Sequence, residues 1–311
     1  MRYPPLNPRH GRGGVLAGAR AAALPPLVAV AHGSRDPRAS ATVEALVAEV
    51  RLARPEIPVV AAYLDHSRPT LAEALERVDE NVLPRVFADS AGRVEETAFA
   101  RPVSAHVDDV DHPTRLDDLA CHAVVLPLLL TEAYHSRVDI PAVVAEARAG
   151  RPGLRVRQAA TLGPHPLLIT ALERRLAEAG VPIGDPETAV VLVSAGSSDA
   201  RANEVIAGMA RDWARSRGWH SVVPAYASAA SPTPEQAVRR ALEGCERVVV
   251  APYLLAPGYF ADKVRGNTLE AGAHTVAAPL GPAPELVTVL LERYAEATAE
   301  PFARRPVLSG A

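Results

Sequence analysis

Residues 126–141 read LPLLLTEAYHSRVDIP. An apolar run over 124–130 stops abruptly in Thr131, Glu132, Tyr134, His135, Ser136 and Arg137. The run has the character of a buried strand, and open α/β sheets bind their ligands at the carboxyl ends of such strands. A second stretch has the same form: the apolar run 27–31 leads into His32-Gly33-Ser34-Arg35-Asp36-Pro37. The two strand ends are expected to face one another, with His32 and His135 working together.

Outward from these strands the chain alternates. Helical spacing over 41–53 sets Val43, Leu46, Val47 and Val50 on one face, with Ser40 or Thr42 available as a cap. Runs 58–63 and 154–159 read as further strands, and 70–78, 140–149 and 167–179 as helices. Strands alternating with helices imply parallel βαβ units. Residues 79 to about 116 are weakly periodic and rich in proline and acid, and read as a surface insertion.

The pattern then begins again. The run 189–193 leads into Ser194-Ala195-Gly196-Ser197-Ser198-Asp199-Ala200, which matches residues 31–37 at an offset of 163 (His32 to Ala195). Tyr63 and Pro69 find Tyr226 and Pro232 at the same offset. LPLLLTEAYHSRV aligns with APYLLAPGYFADK at an offset of 125, which sets His135 against Phe260 and locates the extra segment in the first half. A repeat of this size means two similar α/β domains, each a parallel sheet flanked by helices, rather than a solenoid. The expected division is a disordered tail over 1–26, a first domain over 27–182 containing the insertion, and a degenerate copy over 183–311.

Composition narrows the partners. Aromatics make up 4% of the 311 residues and the net charge is -3, which argues against base-stacking platforms and against a general pull toward nucleic acid or anionic membrane. Cys121 and Cys245 stand far apart with no CxxC spacing, so there is no cysteine-only zinc site, and a reducing, cytoplasmic setting is expected. No apolar run approaches membrane-spanning length, and Gly18 and Arg20 break the apolar stretch of the tail. No phosphate-cradling G-x-x-x-x-G-K-[ST] is present, so no nucleotide cofactor is expected. Oligomeric state is not legible.

The repeat supplies an internal control. Turns and strands recur, while both histidines are lost together, His32 becoming Ala195 and His135 becoming Phe260. This favours one active half and one scaffold half. Neutral imidazole suits Co²⁺, Ni²⁺ and Fe²⁺, and it also takes up protons near neutrality. Metal delivery and proton uptake are the two halves of metal insertion into a tetrapyrrole. A serine nucleophile at Ser34 is the rival chemistry, but the G-x-S-x-G elbow is missing. A carrier that holds metal or tetrapyrrole without turnover would use the same ligands.

HGSRDP, PLLLTEAYHSRVDIP, SRPTLAEAL and LGPHP together resemble the sirohydrochlorin chelatase family, the CbiX and SirB group. The resemblance runs from residue 27 to about 297, insertion excluded. It implies the class II chelatase fold, two like α/β domains with a cleft between them, and insertion of Co²⁺ or Fe²⁺ into sirohydrochlorin for cobalamin or siroheme synthesis, with the metal as substrate. It implies metal ligation by His32 and His135, with His32 as proton acceptor. Some relatives carry a glutamate where this chain has Arg68. The assisting carboxylate is then Asp65, Glu132 or none. A substrate with eight carboxylates calls for cations and N–H donors around it. Ser34, Arg35, Arg38, Arg68, Tyr134 and Arg137 lie in the loops expected to supply them.

Overall fold

A computed structural model of the chain describes residues 24–79, 86–88, 94–96, 122–132 and 135–299; side chains of 79, 86–88, 94–96 and 135 are not among those described. Most of the expected tail, residues 1–23, and most of the expected insertion lie outside these residues.

In chain order the first half contains β1 (Leu27–Ala31), α1 (Pro37–Ala53), β2 (Val59–Tyr63), α2 (Leu71–Asp79), β3 (Val86–Ala88), β4 (Val94–Glu96), β5 (Ala123–Pro127), a π-helical turn (His135–Asp139), α3 (Ile140–Gly150), β6 (Val156–Gln158) and α4 (Pro166–Glu178). The second contains β7 (Thr188–Ser194), α5 (Ala200–Ser216), β8 (Ser221–Tyr226), α6 (Pro234–Leu242), β9 (Arg247–Tyr253), α7 (Tyr259–Glu270), β10 (Thr275–Val276) and α8 (Pro284–Ala299). Two four-stranded sheets result, ordered β2-β1-β5-β6 and β10-β9-β7-β8, while β3 and β4 pair as an antiparallel hairpin inside the expected insertion. Both large sheets are parallel throughout. Their strand orders are the same once the halves are matched, and α1 and α2 recur as α5 and α6 at the 163-residue offset.

Several boundaries differ from those expected, for local reasons. Helix α1 starts at Pro37, not 41, and Asp36 caps it by accepting from Arg38 N. Proline is preorganised for the first helical turn, so D-P starts the helix before its apolar stripe begins. The expected caps instead point back into the helix: Ser40 Oγ donates to Pro37 O, and Thr42 Oγ1 donates to Arg38 O. Strand β5, expected to run to 130, ends at Pro127, although Leu128 N still donates to Val30 O at 2.7 Å.

Strands β1 and β5 are buried along their whole length, so each must be covered on both faces. The cover comes partly from the other half. Helix α8 packs on β5 and α1, α4 packs on β9, and the two helices pack on each other. One apolar cluster therefore joins Leu46 of α1, Leu168 and Leu172 of α4, Trp213 of α5 and Leu286 and Leu290 of α8. Each such side chain contributes about 1.5–3 kcal/mol on burial, so the halves are held as one body. Glu173 on α4 accepts from Trp213 Nε1 at 2.9 Å and from Arg217 Nε at 2.6 Å, and Arg174 pairs with Glu285 of α8. Among the described residues no helix is long and apolar enough to cross a membrane.

Candidate functional site

Strands β1 and β5 are parallel neighbours in register from Leu27↔Val124 to Val30↔Pro127. Their chains therefore leave the sheet at the same edge: His32 one residue after β1, and the segment leading to His135 directly after β5.

The turn after β1 is built by Gly33, Ser34 and Asp36. Leu64 N and Asp65 N donate to Ala31 O and His32 O at 3.1 and 2.9 Å, which lays the loop after β2 directly over the turn. Gly33 has φ +94°, and a Cβ there would lie 1.7 Å from Asp65 O. Asp36 N donates to Ser34 Oγ at 3.1 Å. The rear half repeats the device: Ser228 N donates to Ala195 O, a Cβ on Gly196 would lie 2.0 Å from Ser228 O, and Asp199 N donates to Ser197 Oγ at 3.0 Å. Glycine, serine and aspartate are thus the turn's own chemistry in both halves. Ser34 fills that structural role, which leaves His32 against Ala195 and Arg35 against Ser198 as the differences between the front turn and the rear one.

His32 is exposed to solvent and lines a cavity of about 170 Å³. Ser34, Ser40, Tyr63, Leu128 and Leu129 share its wall with Leu255 and Ala256 from the second half, just after β9. The cavity lies between the halves, as expected of a cleft. Burial pushes the Tyr63 phenol up to about 12, with the Glu44 carboxylate adding to the shift, so this hydroxyl keeps its proton near neutrality.

The backbone of His135 opens the π-helical turn; its side chain, like the whole of Tyr134, lies outside the described residues. Glu132 and Arg137 are exposed and paired to each other at 3.2 Å, and Arg137 also reaches Asp199 at 3.5 Å. Arg38 pairs with Asp36 and with Asp262 of α7, each at 2.6 Å, and its hydrogen bonds hold the Asp36 carboxyl below the usual carboxylate range. The repeat sets Arg137 against Asp262 and Asp36 against Asp199, so these two inter-half clasps are counterparts with one charge reversed. Arg68 pairs with Glu73 at the start of α2, where Glu73 also accepts from Thr70 N. Arg35 is exposed, and among the described residues no carboxylate pairs with it. Asp65 lies against His66, Oδ2 to Nε2 at 3.3 Å, and His66 holds φ 60°. Among the described residues no group of three or more His, Cys, Asp or Glu is placed to hold a metal ion.

One contributor was not singled out from the sequence. In the rear half Asn203 closes the turn, accepting from Ser197 N at 3.0 Å and donating to Ser197 O at 2.7 Å. Its counterpart, Ser40, is too short to do this and lines the cavity instead. The difference was visible in the repeat at the same 163-residue offset as His32 and Ala195.

Two like parallel sheets around a cleft, with imidazole on one wall, make this a protein of the chelatase fold. SirB from Bacillus subtilis with Fe³⁺ superposes with a TM-score of 0.68 at 22% identity, covering 89% of this chain and 96% of that one. SirB from Bacillus subtilis subspecies spizizenii in complex with cobalt gives 0.62 at 20% identity, covering 88% and 95%. The chain belongs to the CbiX family, whose model matches residues 26–89, 86–179 and 189–297. It is 29% identical over 185 residues to the sirohydrochlorin cobaltochelatase of Priestia megaterium, covering 56% of this chain and 60% of that protein. It is 26% identical over 186 residues to the sirohydrochlorin ferrochelatase of Bacillus subtilis strain 168, covering 58% and 70%. The match thus spans less than two thirds of the Priestia protein.

Proposed function

We propose that the chain is a cytoplasmic sirohydrochlorin chelatase that inserts Co²⁺ or Fe²⁺, the metal being a substrate, in cobalamin or siroheme biosynthesis. The observation that carries this reading is His32 standing exposed on the wall of the inter-half cavity, at the one point of the turn where the rear half has Ala195. Family membership and the activities named for its relatives agree with it. The active half is residues 27–182, with 183–311 as its degenerate partner.

In this reading the macrocycle enters between the halves. Its carboxylates meet Arg35, and they compete for Arg38 and Arg137 with the acids that now hold them; Arg68, Ser34 and Tyr134 lie in the same loops. His32 and His135 hold the metal on one face of the ring. As the metal passes from the imidazoles into the ring, two pyrrole N–H protons leave; His32, freed of the metal, takes them one at a time and passes each to water, assisted by Glu132. A general base of this kind contributes about 10²–10⁴-fold.

The test is purified protein with sirohydrochlorin and Co²⁺ or Fe²⁺ assayed side by side, followed by absorbance. Many turnovers per chain are expected with at least one metal. Product limited to one equivalent per chain would replace the enzyme with a carrier.

A further inference from the structure

Side-chain exposure sets two aromatic residues apart. Tyr63, Trp213, Trp219, Tyr226, Tyr253 and Tyr294 are all buried, whereas Tyr259 and Phe260 are 73% and 50% exposed. Among the described side chains no other Tyr, Phe or Trp ring faces solvent. Keeping two adjacent rings in water is unfavourable unless something covers them. They are not loose: the rings meet edge to face, centroids 6.2 Å apart at 82°.

Their place in the fold points to what covers them. Leu255 and Ala256, just before the pair, line the inter-half cavity. Gly258, at φ 152°, brings the start of α7 so close to the front half that a Cβ on it would lie 3.8 Å from the Asp36 side chain. Asp262, just after the pair, makes the clasp to Arg38 at 2.6 Å. Tyr259 and Phe260 therefore stand at the mouth of the cleft, bracketed by its wall and its clasp. By the repeat they are the counterparts of Tyr134 and His135. Exchanging imidazole for phenyl at position 260 removes a metal ligand and leaves a flat apolar face.

We propose that Tyr259 and Phe260 form a substrate-binding platform for a flat conjugated macrocycle, one ring meeting its face and the other, nearly perpendicular to it, meeting it edge-on, with the charged rim held by Arg35, Arg38 and Arg137. This rests on the chelatase reading above, and it gives the degenerate half a task of its own: the front half binds the ion and the rear half binds the ring. Aromatic stacking is tolerant of the partner's detail and is worth about a tenfold change in affinity per ring.

The experiment is an equilibrium absorbance titration of metal-free sirohydrochlorin into wild type, Tyr259→Ala, Phe260→Ala, the double variant and Phe260→Tyr. A separate Co²⁺ titration is made without the tetrapyrrole. Each alanine variant should weaken macrocycle binding about tenfold and raise KM to match. Phe260→Tyr should stay near wild type, and Co²⁺ affinity should not change in any of them. Because both rings are exposed, circular dichroism and melting temperature should be unaltered. A double variant that binds sirohydrochlorin as tightly as wild type overturns the platform and leaves the chelatase reading standing. A wild type that binds no sirohydrochlorin overturns the chelatase reading itself.

Discussion

A methyl group at position 33 would lie 1.7 Å from Asp65 O, and at position 196 it would lie 2.0 Å from Ser228 O, both at positive φ. Gly33→Ala and Gly196→Ala should therefore each destabilise the protein by about 2–5 kcal/mol, from left-handed strain and overpacking together. Chemical denaturation measures this. Only Gly33→Ala should also weaken Co²⁺ binding, because only that turn carries an imidazole. At this scale the H-G-S-x-D pattern was legible as a turn, since its residue types and its repetition both lie in the sequence. The close approach of Asp65 was not, because it depends on where the loop after β2 comes to rest. Arg68 shows the same limit. Its loop was identified, but its partner Glu73 was set by the start of α2, where glutamate was also needed to accept from Thr70 N.

The main helices and strands of the first half followed from apolar periodicity, with β1 at 27–31 and the start of α3 at 140 as expected, but other ends and the β3–β4 hairpin did not. Helix α1 begins with D-P, before its stripe of Val43, Leu46, Val47 and Val50 starts. The π-helical turn at His135–Asp139 precedes α3 without a periodicity of its own to announce it. Contacts between elements of different halves were equally hidden. Tyr253 on β9 is buried, and its hydroxyl donates to Leu130 O at 3.0 Å. Gly163 completes this contact, since a Cβ there would lie 2.3 Å from Tyr253 Oη. Tyr253→Phe leaves the ring in place and strands one carbonyl, so it should cost about 1–3 kcal/mol in a denaturant melt. An unchanged midpoint would mean that Leu130 O is satisfied some other way. The hydroxyl fastens Leu130, next to the cavity-lining Leu128 and Leu129, so the rear half fixes part of the front half's cavity wall.

Across the whole molecule the duplication was readable, while the exchange of α4 and α8 between the halves was not. An amphipathic helix declares that it has an apolar face, not which sheet will cover it. The exchange makes stability a joint property and places charged pairs at the seam. Hydrogen bonds from Arg174 hold the Glu285 carboxyl below its ordinary 4.5. A depressed carboxylate contributes stability that is complete above the unfolded value and is lost as pH falls through the folded one. Glu285→Gln should therefore lower the melting temperature at neutral pH and narrow its gap to wild type as pH drops below 4.5. A gap that widens in acid would contradict the pairing. The central claim is that His32 and His135 share one divalent ion in the front half, and a visible-absorption Co²⁺ titration of wild type, His32→Ala and His135→Ala tests it most directly. The account predicts one ion per wild-type chain, and the same ion weakened in either variant by at least the roughly 10–100-fold that loss of a ligand's outer-shell support alone costs. Wild-type Co²⁺ affinity in either variant would contradict it.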